Sequence, residues 1–189
     1  MFLVIKNIKM FKKIFFNGFI FLIILFFNIF TNINALENKP TVSIGDKNAK
    51  VVVKVYSSLT CPHCANFHNK IFYKLKIEFI DKNIVKFEHH AFPLDLAALN
   101  AEKILRCSND PEGRLKFLGE IYKKQDIWAS GSNINNINSN LTKMAKNYEL
   151  NNDKIDSCFK SEELEDKILN DRIQGNKRCS TNIPKKPTT

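Results

Sequence analysis

The sequence predicts an α/β fold in which a strand–helix–strand unit is followed by a long run of helices. The segment from Lys50 to Ser57 is rich in β-branched and aromatic residues, which is typical of a strand buried on both faces. From Pro62 the apolar residues recur at a spacing of four, which indicates a helix. Ile84 to Phe92 then alternates as a second strand does. A helix that joins two such strands predicts parallel pairing.

The helix between the strands has a clear start and a clear end. Pro62 suits its first turn, where the missing N–H is not needed, and residues 81–83 (Asp-Lys-Asn) end it. Residues 37–50 are polar and irregular, so we expect a loop that leads into the first strand. The apolar residues that define the helix are Phe67, Ile71, Leu75 and Phe79, with Phe72 beside them.

After Pro93 the chain is predicted to be helical for about eighty residues, from its apolar periodicity. Residues 130–140 are rich in Ser, Asn and Gly, which predicts a loop or a frayed helix start. From Gly175 the tail is basic and without apolar periodicity, and we expect it to be disordered. The predicted helices are Leu94–Cys107, Pro111–Gln125, Asn140–Tyr148, Asn152–Phe159 and one from Ser161 to about Gln174.

The first 35 residues have the order of parts of a secretory signal peptide. A lysine-rich start is followed by an almost wholly apolar run, residues 14–30, and by a polar stretch that ends at Ala35. An uncleaved membrane anchor formed by residues 14–30 is the alternative. Because the positive flank stays in the cytoplasm, either interpretation exports the rest of the chain, and we expect a periplasmic protein.

The chain carries a formal net charge of +10, and four of its lysines lie in residues 1–35. The remaining lysines are interspersed with acidic residues along the predicted helices, which is typical of a solvated surface. Nucleic-acid binding would require a clustered basic face with a reading motif, and the sequence has neither. No nucleic-acid partner is therefore expected.

Cys61-Pro62-His63-Cys64 is the candidate active site. The motif directly follows a predicted buried strand and opens a helix, so Cys61 lies where free N–H groups and the helix dipole lower a thiol pKa. His63 would add to this effect. Cys61 is therefore the predicted nucleophile, and Cys64, one turn further on, is the predicted resolving thiol.

A Cys-x-x-Cys pair can also be half of a zinc site, for which the four histidines supply conceivable ligands. A structural site usually needs a second close ligand pair in a loop, whereas Cys107 and Cys158 lie in amphipathic helices. We therefore predict no metal and no cofactor. His89 and His90 are interpreted as ordinary packing and surface residues.

Cys107 and Cys158 each lie near the C-terminus of a predicted helix. A disulfide between them would restrain the helical region, and two buried free thiols are the alternative. Cys179 lies in the tail and is assigned no role. Five cysteines leave at least one without an intramolecular partner.

Residues 57–68 (SSLTCPHCANFH) resemble the active-site segment of DsbA-like thiol–disulfide oxidoreductases. Residues 92–101 (FPLDLAALNA) with Cys107 resemble the entry to that family's helical insertion, and residues 124–128 (KQDIW) resemble its later helix-end motif. The resemblance covers roughly residues 40–175. It implies a thioredoxin-like fold with an inserted all-helical domain, and it supports a second cysteine pair, Cys107–Cys158.

On this basis the chain is divided into a signal peptide (1–35), the N-terminal part of a thioredoxin domain (36–93), a helical insertion (94–175) and a disordered basic tail (176–189). The resemblance implies a periplasmic enzyme that oxidises reduced, newly exported proteins and is reoxidised by a membrane quinone-linked partner.

Two departures from the family pattern follow from the sequence. Val55 stands where many relatives carry an acidic residue, which puts a proton relay through that carboxylate in doubt. Residues 178–184 have no apolar run able to form the strands that the family places after its insertion. The C-terminal strands and helix of the fold are therefore expected to be missing, as in a truncated or frameshifted product.

The predicted function is that of an exported thiol–disulfide oxidoreductase, which donates the Cys61–Cys64 disulfide to reduced proteins through a mixed disulfide at Cys61. The alternatives are a reductase or isomerase on the same scaffold, a zinc-binding module that uses the Cys-x-x-Cys pair, and an inactive truncated relic.

Overall fold

The computed structural model describes residues 40–181, with side chains as far as Arg178. The strands are β1 (Val42–Ile44), β2 (Val51–Ser57) and β3 (Val85–Ala91). The helices are α1 (62–80), α2 (Leu96–Cys107), α3 (Pro111–Lys123), α4 (Gln125–Trp128), α5 (Ile134–Ala145, continued by a 3₁₀ turn, Lys146–Tyr148), α6 (Asn152–Phe159) and α7 (Glu162–Thr181).

The three strands form one sheet in the order β1-β3-β2. β2 runs parallel to β3, with Val51 opposite Val85 and Ser57 opposite Ala91, which confirms the predicted pairing. β1 runs antiparallel to β3. The prediction of an uninterrupted loop over residues 37–50 is therefore wrong at β1, because a three-residue strand is too short to show an apolar alternation.

β2 is less buried than its sequence suggests. Val51 and Val52 are 49% and 46% exposed, whereas Val53 and Val55 pack against the core between α1 and the sheet. The prediction of a strand buried on both faces is wrong, because β2 lies at an edge of the sheet within residues 40–181.

The helix α1 contains two π-helical segments, His68–Phe72 and Lys76–Ile80. A π turn takes in one residue more than an α turn and so rotates the buried face. Phe72 and Ile80 are buried in consequence, whereas Ile71 and Phe79 are 51% and 41% exposed. The predicted spacing of four gave the helix correctly, but it placed the wrong two residues in its apolar face.

The helical region packs around α2, whose Ala101, Ile104 and Leu105 are fully buried. α5 begins at Ile134, where the side chain of Asn133 accepts hydrogen bonds from the first turn. The prediction of a loop or frayed start up to residue 140 is therefore wrong over most of that segment. The core cluster that contains these residues also includes Phe117, Leu118, Ile121, Trp128, Leu141 and Ile155.

The long helix α7 returns to the sheet and packs against β2 and β3. It ends at Thr181 and not near Gln174, so the expectation of disorder is wrong for residues 176–181. Gly175 lies where an added Cβ would approach Tyr56 Cδ1 to 2.8 Å and Phe92 Cδ2 to 2.9 Å. A residue without a side chain therefore allows this close contact between helix and sheet.

Within residues 40–181, no helix combines the length and the apolar character needed to cross a bilayer. The predicted signal peptide or anchor (1–35) and residues 182–189 of the predicted tail lie outside the described residues.

Candidate active site

Cys61 lies at the N-terminal end of α1. It directly precedes the helix with an extended backbone (φ −81°, ψ 118°), and Pro62 takes the first helical position. The Cys61 carbonyl accepts a hydrogen bond from the Ala65 N–H at 3.0 Å, while no side chain caps the first turn. The free N–H groups and the helix dipole favour a negative charge here.

The pKa of the Cys61 thiol lies below its ordinary value. Partial burial by itself raises this pKa, but the Cys64 side chain and the backbone N–H groups of Cys64 and His63 outweigh it by stabilising the thiolate. Residue 63 therefore acts on Cys61 through its backbone, whereas the sequence suggested an effect of the imidazole.

The Cys64 thiol is shifted in the opposite direction. Burial first, and then its hydrogen bond to Cys61, raise the pKa of Cys64 to about 11, although the Ser58 backbone N–H partly offsets this. Both thiols are free and half-buried. The pair thus consists of one thiol that ionises readily and one that holds its proton.

The loop before the dithiol is held by the helical region. Gln125, at the start of α4, donates from Nε2 to the carbonyl of Leu59 at 2.7 Å and to that of Cys61 at 3.2 Å. Leu59 is fully buried. A side chain from the helical region therefore fixes the backbone on which Cys61 is carried.

A second tie comes from the start of α2. Thr60 donates from Oγ1 to Asp95 Oδ2 at 2.7 Å, and Asp95 Oδ1 accepts the N–H of Ala98 at 2.7 Å as the N-cap of α2. The N–H of Leu94 reaches Ser58 Oγ at 3.4 Å. One carboxylate thus caps a helix and anchors the dithiol loop.

The surroundings of the dithiol are open and partly apolar. Pro62 and His63 are exposed. Leu94 and Leu96 on one side are each 56% exposed, and Ile127, beside the Gln125 tie, is 64% exposed. Exposed apolar side chains therefore lie next to Asp95 and Gln125, the two residues that hydrogen-bond to the dithiol loop.

Cys107 and Cys158 are joined by a disulfide whose Cα atoms are 6.3 Å apart and whose cysteines are 51 residues apart in sequence. Cys107 is the last residue of α2, and Cys158 lies in the last turn of α6. Both are buried. The structure thus brings this pair together away from the Cys-x-x-Cys motif.

The histidines after the motif are internal. His68 stacks on Phe72 at 4.7 Å between ring centroids and lies 4.9 Å from the ring of Tyr122. Burial, followed by the charge of His89, lowers the pKa of His68 to about 4. His89 and His90 are each only 1% exposed, so the prediction that they lie partly at the surface is wrong.

In the described part of the chain, no three His, Cys, Asp or Glu side chains are arranged to hold a metal ion.

A chain of buried polar groups lies beneath the dithiol. Tyr122 donates from its hydroxyl to Ser57 Oγ at 2.9 Å, and Ser57 Oγ lies 3.0 Å from His89 Nδ1. His89 Nε2 lies 2.8 Å from Glu102 Oε1, and Thr41 donates to Glu102 Oε2 at 3.2 Å. This chain of polar groups is not predicted from the sequence; the one available signal is the alternation that puts His89 on the apolar side of its strand.

A separate buried cluster ties α7 to the sheet. Asp171 pairs with Arg106 of α2 and accepts the N–H of Ala91 at 3.3 Å. His90 lies 3.2 Å from Glu88 and 3.7 Å from Asp171. Since the Asp171–Arg106 ion pair joins α7 to α2, the cluster has a structural explanation.

Comparison with known proteins places the chain in a family. A family model described as Thioredoxin matches residues 37–187. The chain therefore belongs to the thioredoxin family. A crystal structure of Wolbachia pipientis alpha-DsbA1 superimposes with a TM-score of 0.66 and 28% identity, over 75% of this chain and 70% of that one. The predicted thioredoxin-like fold with a helical insertion, and the DsbA-like family, are thereby confirmed.

Two curated relatives have names that refer to disulfide chemistry. A Rickettsia bellii protein whose name calls it a protein-disulfide oxidoreductase is 38% identical over 86 residues, which are 46% of this chain and 33% of that relative. The Bacillus subtilis disulfide bond formation protein D is 27% identical over 153 residues, which are 74% of this chain and 68% of that protein. The chain spans about a third of the length of the Rickettsia relative.

Proposed function

We propose that this protein is an exported thiol–disulfide oxidoreductase that donates the Cys61–Cys64 disulfide to reduced proteins. The observation that carries the proposal is the opposite shift of the two thiol pKa values, lowered at Cys61 and raised at Cys64. A stabilised Cys61 thiolate favours the reduced form of the pair, and its disulfide is therefore oxidising. The names of the relatives support the same chemistry.

The exchange proceeds through a mixed disulfide at Cys61. A substrate thiolate attacks Cys61 Sγ, the Cys61–Cys64 bond breaks, and its electron pair stays on Cys64, which takes up a proton. A second substrate thiolate then attacks the substrate sulfur of the mixed disulfide. The substrate disulfide forms, and Cys61 leaves as the stabilised thiolate.

Each member of the motif has a part in this proposal. Cys61 is the attacked and leaving sulfur, and Cys64 closes the ring. Pro62 presets the first helical turn, and His63 supplies a backbone N–H to the Cys61 thiolate. The Cys107–Cys158 disulfide is structural and restrains the helical region.

The substrates proposed are reduced, newly exported proteins, and a membrane quinone-linked protein is the proposed reoxidant. Three exposed apolar side chains, Leu94, Leu96 and Ile127, suit an unfolded polypeptide better than a folded one, because unfolded chains present apolar segments. Export through residues 1–35 places the enzyme in the periplasm, where disulfides persist.

Trapping with a Cys64→Ser variant tests the proposal. Without the resolving thiol, Cys61 Sγ should attack a peptide whose single cysteine is activated as a disulfide with 2-nitro-5-thiobenzoate. The aromatic thiolate leaves, and the peptide stays on Cys61 as a mixed disulfide, detected by mass and released by reductant. The matched control, Cys61→Ser, should trap far less peptide because Cys64 holds its proton; both chains carry Cys179→Ser to remove the tail thiol. The alkylation rate of Cys61 in Cys64→Ala, followed against pH, should have its midpoint below the ordinary thiol pKa of about 8.5.

An alkylation midpoint at or above about 8.5 would refute the oxidising version. A wild-type protein that stays reduced beside its substrate and reduces substrate disulfides would support the reductase or isomerase instead. Stoichiometric zinc that blocks exchange would support the metal-binding module. Absence of a cooperative unfolding transition would identify a relic.

A further inference from the structure

Gln125 joins the helical region to the backbone of the dithiol loop through a single amide group. Its Nε2 donates to the carbonyl of Leu59 at 2.7 Å and to that of Cys61 at 3.2 Å. Leu59 is 0% exposed, so its carbonyl needs a partner within the protein, because a buried polar group without one is costly. Two carbonyls that lie two residues apart are therefore fixed by one side chain of the helical region.

The short helix α4 gives the Gln125 amide a fixed base. Trp128, at the other end of α4, is fully buried, and its Nε1 donates to the carbonyl of Ile121 in α3 at 2.8 Å. Because one end of this helix is held in the core, the side chain at its other end starts from a fixed backbone. Gln125 can therefore restrain the dithiol loop instead of following it.

The direction of the Cys61 carbonyl and the surroundings of the Cys61 sulfur depend on the same backbone angle. Cys61 is the N-cap of α1, with ψ at 118°. Rotation about ψ turns this carbonyl and moves the first N–H groups of the helix relative to the Cys61 side chain. Besides the Cys64 side chain, two of these N–H groups, those of Cys64 and His63, stabilise the Cys61 thiolate, as they stabilise other N-cap acceptors. A residue that holds the carbonyl therefore also keeps these N–H groups in place around the sulfur.

Two other hydrogen bonds lie close to this point, and neither has the same effect. The Ala65 N–H donates to the Cys61 carbonyl at 3.0 Å, but Ala65 belongs to α1, so this bond turns with the helix. Thr60 is tied to Asp95 through its side chain, which restrains residue 60 and not the carbonyl that follows it. Gln125 thus links the Cys61 carbonyl to a part of the fold outside α1.

We propose that Gln125 is a positioning residue that sets the reactivity of Cys61 by fixing the two carbonyls on either side of Thr60. The inference rests on the proposed function, because it concerns the same thiol–disulfide exchange. Without the amide, the Cys61 carbonyl is free to turn, and the N–H groups of His63 and Cys64 point less directly at the sulfur. The thiolate is then less stable, and the Cys61–Cys64 disulfide is a weaker oxidant.

The ionisation of Cys61 in the full chain tests this role. Gln125→Met keeps the length of the side chain and removes its N–H donors. The rate of Cys61 alkylation is followed against pH in a Cys64→Ala/Cys179→Ser parent chain, which keeps the backbone N–H at position 64. Adding Gln125→Met should raise the midpoint by about 0.5–1 pH unit, the size expected when one ordinary hydrogen bond is lost.

A second measurement keeps both active-site thiols. In a chain that carries only Cys179→Ser, the equilibrium between the Cys61–Cys64 disulfide and glutathione is compared with and without Gln125→Met. The substitution should shift this equilibrium about 3- to 10-fold toward the protein disulfide, as the rise in the midpoint requires. Gln125→Leu is also neutral and without a donor, and it decides the question if Gln125→Met fails to fold.

Asn69→Ala is the matched control. Asn69 lies on α1 and donates from Nδ2 to the carbonyl of Tyr122 in α3 at 3.4 Å. This variant therefore also removes a hydrogen bond from an amide to a carbonyl between α1 and the helical region, but it does not touch the carbonyls of the dithiol loop. Its alkylation midpoint and its glutathione equilibrium should equal those of the parent chains. Unfolding in urea checks that every variant is folded.

An unchanged midpoint and equilibrium in folded Gln125→Met or Gln125→Leu would overturn the positioning role and leave the proposed function standing. Equal shifts in Asn69→Ala and Gln125→Met would also overturn the positioning role, because any loosening between α1 and the helical region would then act on Cys61. A parent midpoint at or above about 8.5 would overturn both, because Cys61 would then be an ordinary thiol.

Discussion

Reduction of the Cys107–Cys158 disulfide should destabilise the protein by an amount that follows from its position in the chain. The disulfide closes a loop with a sequence separation of 51. In the chain-entropy model, such a loop restrains the unfolded chain by about 4 kcal/mol at 25 °C. Both sulfurs are buried, and free thiols pack as small apolar groups. The loss should therefore come mainly from the unfolded chain.

The measurement needs a chain in which only this pair can be reduced. We would use the Cys61→Ser/Cys64→Ser/Cys179→Ser background and compare the free energy of unfolding in urea with and without reductant. Reduction should lower it by about 4 kcal/mol and the melting temperature by roughly 10 °C. The unfolding slope should rise, since the reduced unfolded chain is less compact and exposes more surface.

Adding Cys107→Ala and Cys158→Ala to the same background provides the control, which should not respond to reductant. A difference of less than about 1 kcal/mol between the oxidised and reduced chains would refute the reasoning. It would mean that the unfolded chain is already restrained between these two cysteines, so that the cross-link removes little of its freedom.

Two further predictions concern the sheet and its contacts. Gly175→Ala should destabilise the protein by about 1–3 kcal/mol, because its Cβ would meet Tyr56 and Phe92 at 2.8 and 2.9 Å; urea unfolding measures this. The pKa of Glu88, which burial by itself raises, is lowered to about 2 mainly by its hydrogen-bond partners, Lys86 first. Its contribution to stability is therefore complete above the unfolded pKa of about 4.3 and is lost as the pH falls toward about 2, so Glu88→Gln should flatten the acid limb of the stability curve.

Each of these two predictions has an outcome that would contradict it, and Gly119 provides a control for Gly175. Gly119→Ala places its Cβ 3.6 Å from the nearest atom, on His68, and should stabilise α3 by about 0.5–1 kcal/mol through helix propensity. Equal effects at the two glycines would contradict the packing argument. An unchanged acid limb in Glu88→Gln would contradict the assignment of a depressed Glu88 pKa.

The sequence was sufficient for the elements around the dithiol, but not for the buried face of α1. A spacing of four identifies a helix because its apolar residues stay on one side. The apolar residues of the buried face are instead five positions apart, Phe67 with Phe72 and Leu75 with Ile80. Each of these two intervals coincides with one of the two π segments. No local pattern distinguishes such a turn from an α turn before the helix meets the sheet.

The start of α5 was missed for a different reason. Composition favoured a loop, because Asn and Ser dominate residues 130–140. Asn133 is in fact the N-cap, and its side chain accepts from the N–H groups of Asn135 and Asn136. Asparagine disfavours a helix at an interior position but favours the start of one at the N-cap position. Only the apolar residues that follow, Ile134 and Ile137, could have indicated that a helix starts here.

The buried polar chain could not be predicted, because its members are far apart in sequence. Ser57 and Tyr122 are 65 residues apart, and His89 and Glu102 are 13 apart. Each residue alone is ordinary on its element. Only the packing of α2 and α3 on the sheet turns four unremarkable side chains into one hydrogen-bonded line.

The Asp95 carboxylate uses both of its oxygens, one on the Ala98 N–H and one on the Thr60 hydroxyl. Asparagine has a similar shape but replaces one acceptor with an amide donor, from which a hydroxyl at position 60 could accept and an apolar side chain could not. Among homologues, positions 60 and 95 are therefore expected to vary together: a hydroxyl at 60 where 95 is aspartate or asparagine, and an apolar residue at 60 where 95 has no such side chain. Covariation of these two positions would then be evidence for the hydrogen bond that joins the start of α2 to the dithiol loop.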